Sequence, residues 1–187
     1  MTATHADLAA PRPIRMTTWA WIATGVIAAT ASIVCAMRIY PDPAMPACCY
    51  FAAVGTVLSA IDVAVMRLPD FLTLPSYPAL LLALAWASST ADDTQPLFRG
   101  VEAAVVVLAA FAVQHLTIGV GLGDVKLAGL IGLLLGYFGW TVLFQGLFVG
   151  CTIGALWAAA LRLRGSRDGY VPLGPALVVG TLVAVLA

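Results

Sequence analysis

The sequence predicts an all-α fold, a polytopic transmembrane helical bundle with about six or seven membrane helices. Of its 187 residues, 62% are hydrophobic and only 10% are charged. Soluble domains have about 45–50% apolar and about 25% charged residues, so this chain has too little charge to cover a water-facing surface. Apolar stretches long enough to cross a bilayer also recur along the whole chain. Membrane lipid is therefore an expected partner, and the formal net charge of zero gives no reason to expect nucleic acid.

The predicted segments lie at about 16–37, 47–66, 71–90, 98–118, 126–141, 143–161 and 171–187. They are expected to be helical because every backbone polar group inside a bilayer must hydrogen-bond within the protein. Abundant glycine and alanine favour close packing between such helices. Only residues 136–140 separate the fifth and sixth segments. We interpret them as a tight turn, since one helix of about 36 residues would overshoot the hydrocarbon.

The distribution of basic residues predicts the orientation. Residues 1–15 form a polar tail, expected in the cytoplasm, ahead of one membrane-embedded domain at 16–187. The first apolar run has about 22 residues, too many for the core of a signal peptide, so it should remain as a membrane anchor. With the tail in the cytoplasm, seven of the nine lysines and arginines fall at cytoplasmic ends, as the positive-inside rule requires. These seven are Arg12, Arg15, Arg67, Lys126, Arg162, Arg164 and Arg167, whereas Arg38 and Arg99 fall outside.

Two aspartates in the apolar segments are the candidate site. A charged side chain at bilayer depth is costly, so such residues usually serve a function. Asp62 lies near the cytoplasmic end of the second segment, and Asp124 lies where a glycine-rich loop enters the fifth. Facing carboxylates share one proton, so one acts as a base toward water and the other as an acid toward a scissile carbonyl. This chemistry suits peptide hydrolysis and calls for no metal or cofactor.

Each of these residues also has a structural interpretation. Asp124 alone is equally well explained as a helix N-cap. Asp62 alone suits an interfacial polar residue, or half of an ion pair with Arg67. Gly121 and Gly123 allow irregular backbone and close approach ahead of a helix start. A single G-x-G-D string is a weak signal in a glycine-rich chain.

Three motifs together resemble one protein family. The run from Asp62 to Pro75, which contains Leu68-Pro69-Asp70 and Leu72-Thr73-Leu74-Pro75, is similar to the first signature of the type IV prepilin leader peptidase family. The run from Gly121 to Lys126 resembles the second signature of these membrane aspartic peptidases, and residues 172–175 resemble a late proline-glycine element. The resemblance covers roughly residues 47–187, in the family's order.

The resemblance implies an aspartic endopeptidase with Asp62 and Asp124 as its catalytic pair. The implied partner is a pilin-like precursor with a short basic leader and a hydrophobic helix, cleaved after a glycine at the cytoplasmic membrane face. Longer family members carry a cytoplasmic domain with paired C-x-x-C motifs and also N-methylate the product. This sequence has no C-x-x-C pair and resembles the short members, often linked to Flp-type or Tad-type pili, which leaves methyl transfer open.

Neighbouring residues have weaker interpretations. Asp70 either supports the site or caps the third helix. Lys126 has three alternative roles: it holds the ionised aspartate, contacts a substrate carboxylate, or extends to the lipid surface. The third interpretation is favoured. His115 is expected to be an interfacial histidine rather than a general base, because the aspartates already supply acid and base. Cys35 and Cys48 are interpreted as apolar packing residues, with a disulfide between them left open.

Two other functions stay open. Intramembrane aspartates also mark ion paths, so a small proton-coupled transporter is one alternative. That function predicts broken helices near the midplane and symmetric halves, whereas both aspartates lie near one face. A catalytically inactive pilus-assembly component is the other, although both aspartates are intact.

Overall fold

A computed structural model of the chain describes residues 17–65, 68–163 and 173–187, and all secondary structure in these ranges is α-helical. The helices are α1 Thr18–Ile39, α2 Met45–Val65, α3 Asp70–Thr90, α4 Gln95–Ile118, α5 Leu122–Phe138, α6 Trp140–Leu163 and α7 Gly174–Leu186. Five of them, α1 to α4 and α6, are long and apolar enough to cross a membrane. The predicted polytopic helical bundle is therefore confirmed. The predicted tail at 1–15 lies outside the described residues, as do Arg12, Arg15, Arg67, Arg164 and Arg167.

The start of α5 differs from the prediction. The helix begins at Leu122 rather than near residue 126, so Asp124 lies in its first turn. Gly121 is extended and occupies the N-cap, and its carbonyl accepts a hydrogen bond from the Val125 N–H at 3.3 Å. The interpretation of Asp124 as an N-cap is therefore wrong. The sequence did not indicate the earlier start because residues 119–123 are rich in glycine.

The predicted break between the fifth and sixth segments lies at one residue. α5 ends at Phe138, α6 begins at Trp140, and Gly139 between them has φ +142°. Glycine adopts this conformation without the steric cost that a side chain would add. The N–H of Gly139 still donates to the Leu135 carbonyl, which closes the last turn of α5.

Helix α5 is the core of the bundle. Thirteen of its 17 residues are buried, and α3, α4, α6 and α7 all pack against it. The closest approach is to α4, where Gly132 and Gly136 face Gly100 and Ala103. A Cβ atom on Gly132 would lie 2.8 Å from the Ala103 carbonyl oxygen, so only glycine permits this helix spacing.

The C-terminal end of α5 is held by a side chain from α4. Arg99 donates from Nε to the Gly136 carbonyl at 2.9 Å and from Nη2 to the Tyr137 carbonyl at 2.5 Å. The last carbonyls of a helix have no partners within it, so a basic side chain at this position satisfies them. α4 thus fixes both the packing and the end of the central helix.

Small residues also join α6 to α7. Gly146, Gly150 and Gly154 recur every four residues along α6 and are buried. A Cβ atom on Gly180 of α7 would lie 2.6 Å from the Cα of Gly150, so the two backbones are in direct contact. α7 also packs against α2, which brings its first residue, Gly174, to the end of the bundle where α2 ends.

The four cysteines all lie in described helices and are free thiols. Cys35 of α1 and Cys48 of α2 are both buried, so they act as packing residues and no disulfide joins them in this structure. Cys49 instead donates from Sγ to the Ser32 carbonyl at 3.3 Å, and the one hydroxyl hydrogen of Ser32 lies between the carbonyls of Ala28 at 2.9 Å and Cys49 at 3.1 Å. The contacts between Ser32 and Cys49 tie α1 to α2.

Candidate active site

A cavity of about 440 Å³ lies at the end of the bundle where α2 and α4 end and α3 and α5 begin. It is lined by Asp62, Leu68, Asp70, His115, Lys126 and residues 119–124. The structure therefore brings every site residue predicted from the sequence into one place. Asp62, Asp70, Gly121, Gly123, Asp124 and Lys126 all contribute to its wall.

Asp62 lies in the last turn of α2 and is only 4% exposed. Its Oδ2 accepts a hydrogen bond of 3.1 Å from the backbone N–H of Gly174, the first residue of α7. The first N–H groups of a helix have no partner within it, and that end carries a partial positive charge. The start of α7 thus both orients the Asp62 carboxyl group and compensates part of its charge.

Glycine is required at position 174 for this contact. A Cβ atom there would lie 2.7 Å from Asp62 Oδ2 and 3.3 Å from Asp62 Cγ. Any larger residue would therefore push α7 away or turn the carboxyl group. Gly174 belongs to the proline-glycine element noted in the sequence, but the sequence alone did not assign it a partner.

Asp124 lies in the first turn of α5 and is 6% exposed. Its Oδ1 is buried and has no hydrogen-bond partner among the described residues. A buried polar atom left unsatisfied costs about 1–3 kcal/mol, so such atoms are usually retained for a purpose. Asp62 is oriented by a backbone donor, whereas Asp124 keeps an oxygen available to a bound group.

Gly123 allows the first turn of α5 to lie close to the segment before α3. A Cβ atom at Gly123 would lie 2.7 Å from Leu68 Cδ1 and 3.2 Å from the Leu68 backbone nitrogen. The first turn of α5 therefore packs directly on the residues that lead into α3. The use that the sequence suggested for this glycine, close backbone approach, is what the structure shows.

Asp70 and Lys126 form an ion pair at the cavity wall. Lys126 Nζ lies 2.5 Å from Asp70 Oδ1, with the two side chains 33% and 61% exposed. Pro69 occupies the N-cap of α3, so the interpretation of Asp70 as that cap is wrong. Lys126 is likewise committed to Asp70 rather than extended alone to the lipid surface. The pair joins α3 to α5, as does the Tyr77 hydroxyl, which donates to the Lys126 carbonyl at 2.7 Å.

His115 lies in the last helical turn of α4 and contributes to the cavity wall. Its Nδ1 lies 2.5 Å from the carbonyl oxygen of Val120 in the loop before α5. The sequence did not indicate this contact, because it depends on the turn that the chain makes at Gly119. Among the described residues, no three histidine, cysteine, aspartate or glutamate side chains cluster closely enough to hold a metal ion.

Comparisons with known proteins agree with this geometry. The model of the type IV leader peptidase family matches residues 49–159, a range that contains both Asp62 and Asp124. A prepilin leader peptidase/N-methyltransferase of Bacillus subtilis (strain 168) is 29% identical over 177 residues, with 81% of this chain and 68% of the relative covered. No solved structure matches the chain.

Proposed function

Because the chain belongs to the type IV leader peptidase family and is a protease of the prepilin peptidase type, we propose that Asp62 and Asp124 are its catalytic pair. In this proposal the enzyme is an aspartic endopeptidase that removes the short basic leader of a pilin-like precursor at the cytoplasmic membrane face. The observation that carries the proposal is that two buried aspartates from separate helices line the same cavity.

The proposed reaction needs water and one shared proton. One carboxylate takes a proton from water, and the water oxygen attacks the scissile carbonyl carbon. The other carboxyl group donates a hydrogen bond to the carbonyl oxygen and then gives its proton to the leaving amine as the C–N bond breaks. The second proton of the water stays on the new carboxyl group, and the pair regains its original protonation. The Oδ1 atom of Asp124 has no hydrogen-bond partner among the described residues, which supports this proposal because a substrate carbonyl or a water needs such a partner.

The position of the cavity suits the proposed substrate. A hydrophobic precursor helix lies against the apolar outer faces of the bundle, and its polar leader stays in water at the end of the bundle. Three aspartates and one lysine line the cavity, which favours a positively charged leader. The cytoplasmic assignment rests on the sequence, in which seven of the nine lysines and arginines fall at the predicted cytoplasmic ends. The four described ones divide equally, with Lys126 and Arg162 at the cavity end and Arg38 and Arg99 at the other.

Asparagine substitutions test the catalytic pair. Asp62→Asn, Asp124→Asn and the double variant keep side-chain size and remove the titratable group. Either single change should reduce cleavage at least about 1,000-fold, and the double variant should be little worse, because the two residues act as one unit. The measurement is conversion of a co-expressed pilin-like precursor to its shorter form in membranes, followed on gels.

The matched control is Asp92→Asn. Asp92 is exposed at the opposite end of the bundle and has φ +52°, a conformation that asparagine tolerates. The Asp92→Asn variant should cleave the precursor at the rate of the unchanged chain. Full cleavage by either active-site variant would end the proposal. A transporter would cleave no precursor in any form, and an inactive assembly component would support pilus assembly with both aspartates replaced.

A further inference from the structure

One residue of α4 holds the loop that leads to Asp124 at two successive positions. α4 ends at Ile118, and Gly119 turns the chain with φ +77°. The N–H of Gly119 donates to the backbone carbonyl of His115 at 3.1 Å. The carbonyl of the next residue, Val120, lies 2.5 Å from the Nδ1 atom of the same histidine. Backbone and side chain of His115 thus hold consecutive residues of the loop.

The chemistry of this contact fixes the tautomer. A carbonyl oxygen only accepts hydrogen bonds, so Nδ1 of His115 carries the hydrogen. In neutral imidazole Nε2 is then the acceptor, and in the cation both nitrogens are donors. The bond to Val120 therefore persists in both protonation states. Among the described residues, the other charged or titratable groups around the cavity are Asp62, Asp70, Asp124 and Lys126.

The held segment controls where α5 begins. Gly121 follows Val120 directly and is the N-cap of α5, and Asp124 lies in the first turn. The rest of α5 is buried among four other helices, so its body has little freedom to move. The entry loop is the part whose position a single side chain can change. A shift of this loop moves the first turn of α5, and with it the carboxyl group of Asp124.

We propose that His115 is a positioning residue for Asp124, acting through the Nδ1–H hydrogen bond to the Val120 carbonyl. This inference rests on the proposed catalytic role of Asp124. His115 itself takes no proton from substrate or water. The competing explanation is that His115 only stabilises the end of α4, as basic residues do near the last carbonyls of a helix.

Three substitutions separate these explanations. In His115→Asn the amide nitrogen takes the place of Nδ1 and can still donate to Val120. In His115→Gln the amide nitrogen takes the place of Nε2, too far along the side chain for that bond, and His115→Leu has no donor. We expect His115→Asn to cleave within about threefold of the unchanged chain, and the other two to lose roughly 10- to 100-fold in kcat with little change in KM.

The pH profile separates a positioning role from a direct role in proton transfer. His115→Asn should keep the shape of the profile, because the histidine takes no proton from substrate or water in this proposal. Equal cleavage by the Asn and Gln variants would overturn the inference. So would loss of one limb of the profile in His115→Asn together with a fall in kcat as large as that of His115→Leu, since that pattern identifies a general base.

Hydrogen exchange tests the same contact without substrate. The amides of residues 120–125 should exchange at the same rate in the unchanged chain and in His115→Asn, and at least about tenfold faster in His115→Gln and His115→Leu. Unchanged exchange in His115→Leu would overturn the inference even if no precursor were found. If the unchanged chain cleaves no precursor but exchange behaves as expected, the proposed function fails and the loop contact stands.

Discussion

The backbone N–H of Gly174 donates a hydrogen bond of 3.1 Å to Asp62 Oδ2, which joins the first residue of α7 to the last turn of α2. The two residues are 112 positions apart in the chain. α7 is short and apolar, and its C-terminal part packs on α6. Its N-terminus nevertheless belongs to the candidate site, since it supplies a backbone donor to one of the two buried carboxyl groups.

The first prediction concerns Gly174→Ala. The added Cβ atom would lie 2.7 Å from Asp62 Oδ2, so α7 must shift or the carboxyl group must turn. We expect at least about a tenfold fall in precursor cleavage, because a displacement near 1 Å in a catalytic group costs about 100-fold. Gly25→Ala is the control, since a Cβ atom there meets no other atom within 4 Å. Cleavage by Gly174→Ala at the rate of the control would contradict the prediction.

The second prediction concerns the ion pair between Asp70 and Lys126. Both side chains are partly exposed, and exposed ion pairs contribute only about 0–1 kcal/mol to stability. Lys126→Ala should therefore leave the unfolding midpoint nearly unchanged and reduce cleavage less than about tenfold, far less than the asparagine variants of the catalytic pair.

A double-mutant cycle with Asp70→Asn checks this interpretation. Residues that act only through each other give a double variant no worse than the more damaged single variant. If Lys126→Ala abolished cleavage while Asp70→Asn did not, Lys126 would have a direct role in the reaction that the ion pair does not explain.

The third prediction concerns Arg99, which lies far from the cavity. Arg99→Met keeps much of the apolar stem but removes both hydrogen bonds to the last carbonyls of α5. Loss of these bonds should lower the free energy of unfolding by about 1–3 kcal/mol, because the carbonyls of Gly136 and Tyr137 then lack their partner. Reversible unfolding in mixed micelles measures this. The fraction of the Arg99→Met variant that remains folded should cleave the precursor at the normal rate. A loss of cleavage without a loss of stability would contradict the purely structural role of Arg99.

The fourth prediction concerns orientation. Single cysteines are placed at Thr94, between α3 and α4, and at Leu163, at the end of α6, in a chain whose four native cysteines are replaced. Both positions are exposed. In intact cells a membrane-impermeant maleimide should label position 94 and not position 163, because the distribution of basic residues in the sequence predicts that the cavity end faces the cytoplasm. Labelling of position 163 alone would contradict this prediction and indicate the opposite orientation.

The sequence predicted the helices well because each is a continuous apolar run with a polar or glycine-rich break on either side. The two aspartates were identified because a carboxyl group is unusual within such an apolar run. The start of α5 was placed about four residues late, because Gly121 rather than Asp124 caps the helix. Residues whose role depends on distant partners were not assigned: Gly174 needs α2 beside α7, and His115 needs the turn at Gly119.

The burial of α5 has a consequence for how the protein is made. Thirteen of its 17 residues are buried, so almost no face of this helix contacts lipid. Its burial is therefore complete only after the neighbouring helices have packed around it. The donor to Asp62 comes from Gly174 at the start of α7, which follows α5 and α6 in the chain. A chain made only as far as α6 therefore contains both aspartates but lacks the donor to Asp62, and we expect the two carboxyl groups to reach their observed arrangement only when α7 docks.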